Sequence, residues 1–171
     1  MKTQVLIYFI FTSITTTAIS QTADEKAFPC RYGEQYKPLD FWLGEWDVYV
    51  NDKKTATSSI TKSEGGCTLH EDYKTLSNYY GRSMNYYDPV DKKYTQIWVD
   101  KFNGIIIFKE IEARKGYLKL QADDGKGTLT NMDYTLDSST ANVIQTMASS
   151  KDGGKTWKNS FSGTYKKRSS Q

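Results

Sequence analysis

The sequence predicts an all-β fold: an antiparallel up-and-down β-barrel of about ten strands, entered through a short N-terminal helical turn. Three observations predict it. Runs of alternating apolar and polar residues recur every ~8–14 residues, bounded by Gly, Pro, Asn, Asp or Ser. No stretch of any length carries the period of an amphipathic helix. The runs are joined by short turns, so sequence neighbours must pair antiparallel, and so long a meander hides its unpaired edges most simply by closing on itself. A barrel of this many strands encloses more volume than its own side chains fill, so a cavity is expected.

The organising stretch is Phe41–Val50, which sets Trp42 and Trp46 either side of Gly44. Pro38 suits the start of a one-turn helix and Gly44 its exit. From Trp46 the alternation puts Trp46, Val48 and Val50 on one face of a first strand. A second strand spans Thr55 to Lys62 and a third Cys67 to Leu76, with Glu64-Gly65-Gly66 turning between them. Gly81 to Tyr87 follows, then the turn Asp88-Pro89-Val90-Asp91-Lys92, where proline supplies the turn angle and no ladder donor. Tyr94 to Asp100, Gly104 to Ala113 and Tyr117 to Ala122 continue the meander. Thr128 to Leu136, Ala141 to Ala148 and Trp157 to Lys167 complete it.

Residues 1–20 stand outside this pattern. Lys2 provides a positive end, Val5 to Ile14 an apolar run, and Ala18-Ile19-Ser20 a small-residue cleavage site. Together they form a secretory signal peptide; the apolar run is short for a membrane anchor and fades into Thr15-Thr16-Thr17. No Cys stands at the cleavage site to carry a lipid. Residues 21–37 form a polar arm without clear periodicity, crossing the barrel mouth, and residues 38–168 the barrel domain. The expected location is therefore secreted or periplasmic, with no membrane insertion after cleavage. Loss of Lys2 takes 23 basic residues to 22, against 20 acidic ones. That balance gives no electrostatic footprint for nucleic acid. The lone cysteine pair, Cys30 and Cys67, means one disulfide in an oxidising compartment. The alternative leaves Cys67 as a small buried strand residue and Cys30 free in the arm.

Gly44-Glu45-Trp46 on a first strand resembles the Gly-x-Trp signature of the lipocalin and calycin barrels. In that family the Trp packs at the barrel base against a basic residue from the last strand, which implies Arg168 or Lys166 here. A longer ordered set of motifs accompanies it: Phe41-Trp42-Leu43-Gly44-x-Trp46, Gly66-Cys67-x-Leu69-x-Glu71, Gly81-x-Ser83, Tyr87-Asp88-Pro89, Trp98-x-Asp100, Asp152 to Trp157, and Gly163-Thr164-Tyr165. This set resembles an uncharacterised family of exported bacterial domains over most of residues 38–167. The resemblance implies a lipocalin-like barrel and no particular activity.

Strand alternation selects the candidate ligand-binding residues. Glu71 shares a face with Leu69 and Tyr73; Ser83, Asn85 and Tyr87 share one face of the next strand; Gln96, Trp98 and Asp100 share a face of the one after. Facing inward, they give a cavity with carboxylates, an amide and hydroxyls among aromatic walls, suited to a small, partly apolar ligand. Facing outward, they are simply wet, and Ile97 and Val99 argue for that on one strand. Trp42, Gly44, Trp46, Trp157 and Arg168 are read as structural. Ser150 to Trp157 fits the Asp-box hairpin turn familiar from sialidase propellers, and its single occurrence makes it a turn here. His70, the one histidine, is read as an ordinary strand residue. Neither a metal site nor a cofactor is expected, and no catalytic residue is assigned. Two other readings stand beside ligand binding: a carbohydrate-binding module using exposed aromatics, and an enzyme using Glu71 or Asp100 as general acid or base. Ile105-Ile106-Ile107-Phe108 is apolar on both faces, so either the arm covers its outer side or it marks a homodimer contact.

N-terminal sequencing of exported protein is expected to begin near Gln21. Intact Met1 in a membrane fraction would overturn the signal-peptide reading.

Overall fold

A computed structural model of the chain describes residues 22–168. The predicted signal peptide therefore lies outside the described residues. Ten antiparallel strands close into a barrel in simple meander order, with the first strand hydrogen-bonded to the last. They are β1 (Gly44–Val50), β2 (Lys53–Ser63), β3 (Thr68–Thr75), β4 (Tyr80–Asp88) and β5 (Lys93–Asp100). The remainder are β6 (Ile105–Arg114), β7 (Tyr117–Asp123), β8 (Leu129–Leu136), β9 (Val143–Ser150) and β10 (Lys158–Lys167). Closure pairs Trp46 with Lys167 and Val48 with Tyr165, leaving neither strand as a free edge.

One end of the barrel is sealed. A 3₁₀ turn, Asp40–Trp42, brings the chain to β1 and buries Leu39 and Trp42 completely. It begins two residues after Pro38. Trp46, also fully buried, donates its indole N–H to the Trp42 carbonyl at 2.7 Å. The Trp42 ring lies 4.7 Å from Tyr134 and 5.7 Å from Tyr165, so the plug and the far wall form one aromatic cluster. Lys167, not Arg168 or Lys166, places its ammonium 4.6 Å over the Trp46 ring, and it donates to the Leu43 carbonyl at 2.7 Å. Register explains the correction: Lys167 is two residues beyond inward-facing Tyr165 and directly opposite Trp46. Arg168 instead reaches Asp47 and the Trp46 carbonyl, each at 3.3 Å. Gly44 has φ of 127°, and a Cβ there would lie 2.7 Å from the Lys167 ammonium, so the position takes no side chain.

The arm lies against this sealed end and does not cross the mouth. It contains two short helices, α1 (Ala23–Ala27) and α2 (Pro29–Tyr32), the first opened by a Thr22–Glu25 capping box. Cys30 and Cys67 are disulfide-bonded, tying α2 to the β2–β3 connection. Closing a loop of this length stabilises by roughly 4 kcal/mol on the chain-entropy model. Such a bond belongs to an oxidising, non-cytoplasmic compartment. Among the described residues no helix is long and apolar enough to cross a membrane.

The Asp-box stretch is the β9–β10 turn. The Asp152 carboxylate accepts from the Lys155 and Thr156 amides, Ser150 Oγ accepts from the Gly154 amide, and Trp157 donates to the Gly154 carbonyl at 3.0 Å. His70 sits on the outer wall beside Thr68 and Glu64. On β6 the two faces part: Phe108 is fully buried inside, whereas Ile105 and Ile107 are 59% and 53% exposed on the outer wall. The arm does not cover them.

Truncating Trp46 to Ala removes the ring that β1, the plug and Lys167 share, and should cost ~3–5 kcal/mol. Urea unfolding of W46A should show a sharply lowered midpoint or no folded protein; wild-type stability would show that the seal lies elsewhere.

Candidate functional site: a cavity above a buried carboxylate

With one end plugged, the inward side chains of the other half enclose a cavity of about 330 Å³. Its walls are apolar and aromatic. Tyr73 and Trp98 meet edge to face at 6.1 Å, and Ile106, Phe108, Met147 and Phe161 line the other sides. Two glycines make room for these rings: a Cβ at Gly81 would lie 2.3 Å from Trp98, and one at Gly163 2.5 Å from Phe161. A β-bulge at Asn159/Phe161 in β10 leaves Ser160 outside the ladder, at the cavity's exposed rim.

The floor is polar and continuous. Glu71, 3% exposed, accepts from Ser58 at 2.8 Å and from Ser83 at 3.2 Å. Asn85 donates to Ser83 Oγ and to the Leu69 carbonyl, which fixes its amide orientation. Its carbonyl oxygen then accepts from Gln96, whose other N–H goes to Tyr134. Gln145 also donates to Tyr134, at 3.1 Å, and accepts from Tyr165 at 2.6 Å. Strands β2, β3, β4, β5, β8, β9 and β10 each contribute, so the floor spans the barrel bore. Such a network holds each side chain in place because every lost bond leaves a buried polar group unpaired.

Burial pushes the Glu71 carboxyl from its ordinary 4.5 up to about 7. The Ser58 and Ser83 bonds oppose that rise and Asp72 adds to it. Asp100 behaves in the opposite way. It lies at the mouth, where its carboxylate accepts from the Phe102 and Gly104 amides and from the Tyr79 hydroxyl. Those bonds, the Gly104 amide first, hold its pKa below the usual aspartate value. Burial thus raises Glu71 but not Asp100, because a tight β5–β6 turn solvates Asp100 with backbone amides.

The alternating faces of β3, β4 and β5 all turn inward, although only some of their residues meet the cavity. Glu71, Gln96, Trp98 and Asp100 line it. Ser83 and Asn85 are buried within the floor. Tyr87 is too far toward the sealed end and packs edge-on against Tyr36 of the arm at 5.6 Å. Sequence reasoning missed Ser58, Tyr134, Gln145 and Tyr165. A usable signal existed for three of them: Ser58 is flanked two residues away by Ala56 and Ile60, Tyr134 by Met132 and Leu136, and Gln145 by Val143 and Met147. A polar residue between apolar ones on an inward face is a floor residue. A larger hollow, about 530 Å³, lies on the outer wall between Asp72, Tyr80, Arg82 and Lys101. It has no buried polar group to orient a ligand.

The molecule is thus a closed ten-stranded barrel with one end sealed and a cavity toward the other. No protein-family model and no curated protein matches the chain, so the site stands on its geometry.

The raised Glu71 pKa sets a pH dependence of stability. Between pH 4.5 and 7 the folded state holds a proton that the unfolded state releases, so stability is greatest in acid and falls as pH rises through about 7. At ~1.4 kcal/mol per decade of pH, the loss should approach ~3 kcal/mol. Asp137 and Asp152, held near 2 by local hydrogen bonds, act only below pH 4 and do not mask it. Urea unfolding from pH 5 to 8 should show this decline in wild type and its absence in Glu71→Gln. Parallel profiles would mean that Glu71 titrates normally.

Proposed function

We propose that this chain is an exported barrel of lipocalin/calycin type that holds a small, partly apolar molecule in its cavity. The disulfide and the N-terminal signal pattern support export. The sequential motifs support kinship with the exported bacterial domains they resemble. The carrying observation is the cavity itself: about 330 Å³ of space between aromatic walls, ending on a buried, hydrogen-bonded polar floor. That size and polarity suit a small organic ligand whose body packs on Trp98, Phe161 and Met147 while its polar group reaches Glu71 and Gln96.

A second reading, acid–base catalysis by Glu71, is favoured by a pKa near neutrality. It has less support because the hydrogen-bond partners of Glu71 are serine hydroxyls, and among the described residues no histidine, lysine or second carboxylate bonds to it as an acid–base partner. Sugar binding on exposed aromatics has less support. Lys101 lies over the faces of both Tyr80 and Phe102, where a sugar ring would stack.

Methionine-methyl NMR tests the cavity with phenethyl alcohol as probe. Met132 and Met147 line the cavity, whereas Met84 is on the outer wall, 37% exposed. Saturable shifts at Met132 and Met147 with Met84 unmoved, abolished by the cavity-filling Ile106→Trp, are expected. Shifts at Met84 alone, or none, would overturn the proposal.

A further inference from the structure

With Glu71 ionised, the floor of the cavity is unbalanced: all but one of its donors are consumed and several of its acceptors are not. Both N–H groups of Gln96 go to Asn85 and Tyr134, and both of Gln145 go to Tyr134 and the Met132 sulfur. The Ser58 and Ser83 protons go to Glu71, and the Tyr165 proton to Gln145. Tyr134 alone keeps a hydroxyl proton without an acceptor in this network. On the acceptor side, the Glu71 carboxylate has about four lone-pair directions and two are taken. Gln96 is 1% exposed, yet its carbonyl oxygen accepts from none of the described residues, and the residue lines the cavity. Its amide cannot be turned round to satisfy that oxygen, because Asn85, pinned by the Leu69 carbonyl, requires the N–H where it is.

Charge points the same way. Among the described residues, those lining the cavity include the carboxylates Glu71 and Asp100 and no Lys, Arg or His. Lys167, exposed at the sealed end, is committed to Trp46 and Leu43. An anionic ligand would meet two carboxylates with nothing to offset them. A cation would meet the Glu71 carboxylate, the free Gln96 carbonyl and the electron-rich faces of Trp98 and Tyr73.

We propose that the ligand is an organic cation: a primary or secondary ammonium group carried on a small aromatic or aliphatic body, with the ammonium donating to Glu71 and the Gln96 carbonyl. The inference rests on the cavity being a ligand site. It makes binding pH-dependent, since the ammonium pairs with ionised Glu71. The titratable groups acting on Glu71 are Asp72 and Tyr73 on its own strand and, across the bore, Tyr134 and Tyr165. The tyrosines stay protonated through neutral pH because burial raises them, so Glu71 alone carries the effect.

Three probes of nearly equal shape decide it: phenethylammonium, phenethyl alcohol and hydrocinnamate, titrated into the intact exported protein and read by the Met132 and Met147 methyls. Phenethylammonium should bind at least about tenfold tighter than the alcohol, as a charge-assisted bond allows, and hydrocinnamate more weakly than either. Its affinity should rise about tenfold from pH 6 to 8, following Glu71 ionisation, while that of the alcohol stays level. Glu71→Gln should remove both the ammonium preference and the pH dependence. If the variant does not fold, the wild-type ratio and pH profile still decide. Alcohol binding with no ammonium advantage, or tighter hydrocinnamate, overturns the cation assignment and leaves the cavity reading standing. No binding by any probe overturns both.

Discussion

Everything in this barrel depends on the seam where β1 meets β10. Ten strands in meander order leave one open join, and an unclosed join would expose two rows of unpaired backbone donors and acceptors. The chain closes it with side chains as well as backbone. Trp46 fills the bore at the seam, the Trp42 carbonyl takes its N–H, and Lys167 lies across its face while holding the Leu43 carbonyl. The helical turn before β1 and the last residues of β10 are thus fixed to one ring. That arrangement seals one end of the barrel, and sealing one end is what makes the other a cavity and not a channel.

The position of the seal also sorts the interior by height. At the plug the inward residues are large, apolar and fully buried: Leu39, Trp42 and Trp46 leave no room. One layer higher come Ser58, Ser83, Asn85, Gln96 and Gln145, too small or too polar to fill the bore by themselves. They bond to one another instead, and the space above them stays open. The bulge at Ser160 and the glycines at 81 and 163 then fit the bulky wall residues around that space. Polar floor and apolar wall are therefore consequences of the same alternation, read at different heights.

Much of this was legible in the sequence. All ten strands follow from alternation and turn chemistry, with ends within about two residues, because a strand half-buried in a barrel wall writes its burial directly into its sequence. The inward faces of β3 and β4 were readable for the same reason. Height along the barrel was not: alternation says which face a residue takes but not how far it stands from the plug. Tyr87 and Ser83 share a face and lie on opposite sides of the floor's edge. Nor could alternation distinguish Lys167 from Arg168 at the seam, since one residue of register decides which of them points inward. The floor residues of β8 to β10 come from strands distant in sequence from Glu71, and only closure brings them to it.

Glu71 and Asp100 show why the cavity is more than leftover space. Both are carboxylates on inward strand faces, yet a turn of backbone amides solvates Asp100, whereas burial works against Glu71. A residue kept only for stability at Glu71 would be apolar, or a glutamine satisfying the same two serines, since a buried carboxylate is stabilising only when its charge is answered. The serines answer it partly, and no cation of the cavity lining does so. The empty barrel thus carries a cost in its floor that falls when a partner of opposite charge arrives, and that difference between empty and occupied states is available to a ligand as affinity.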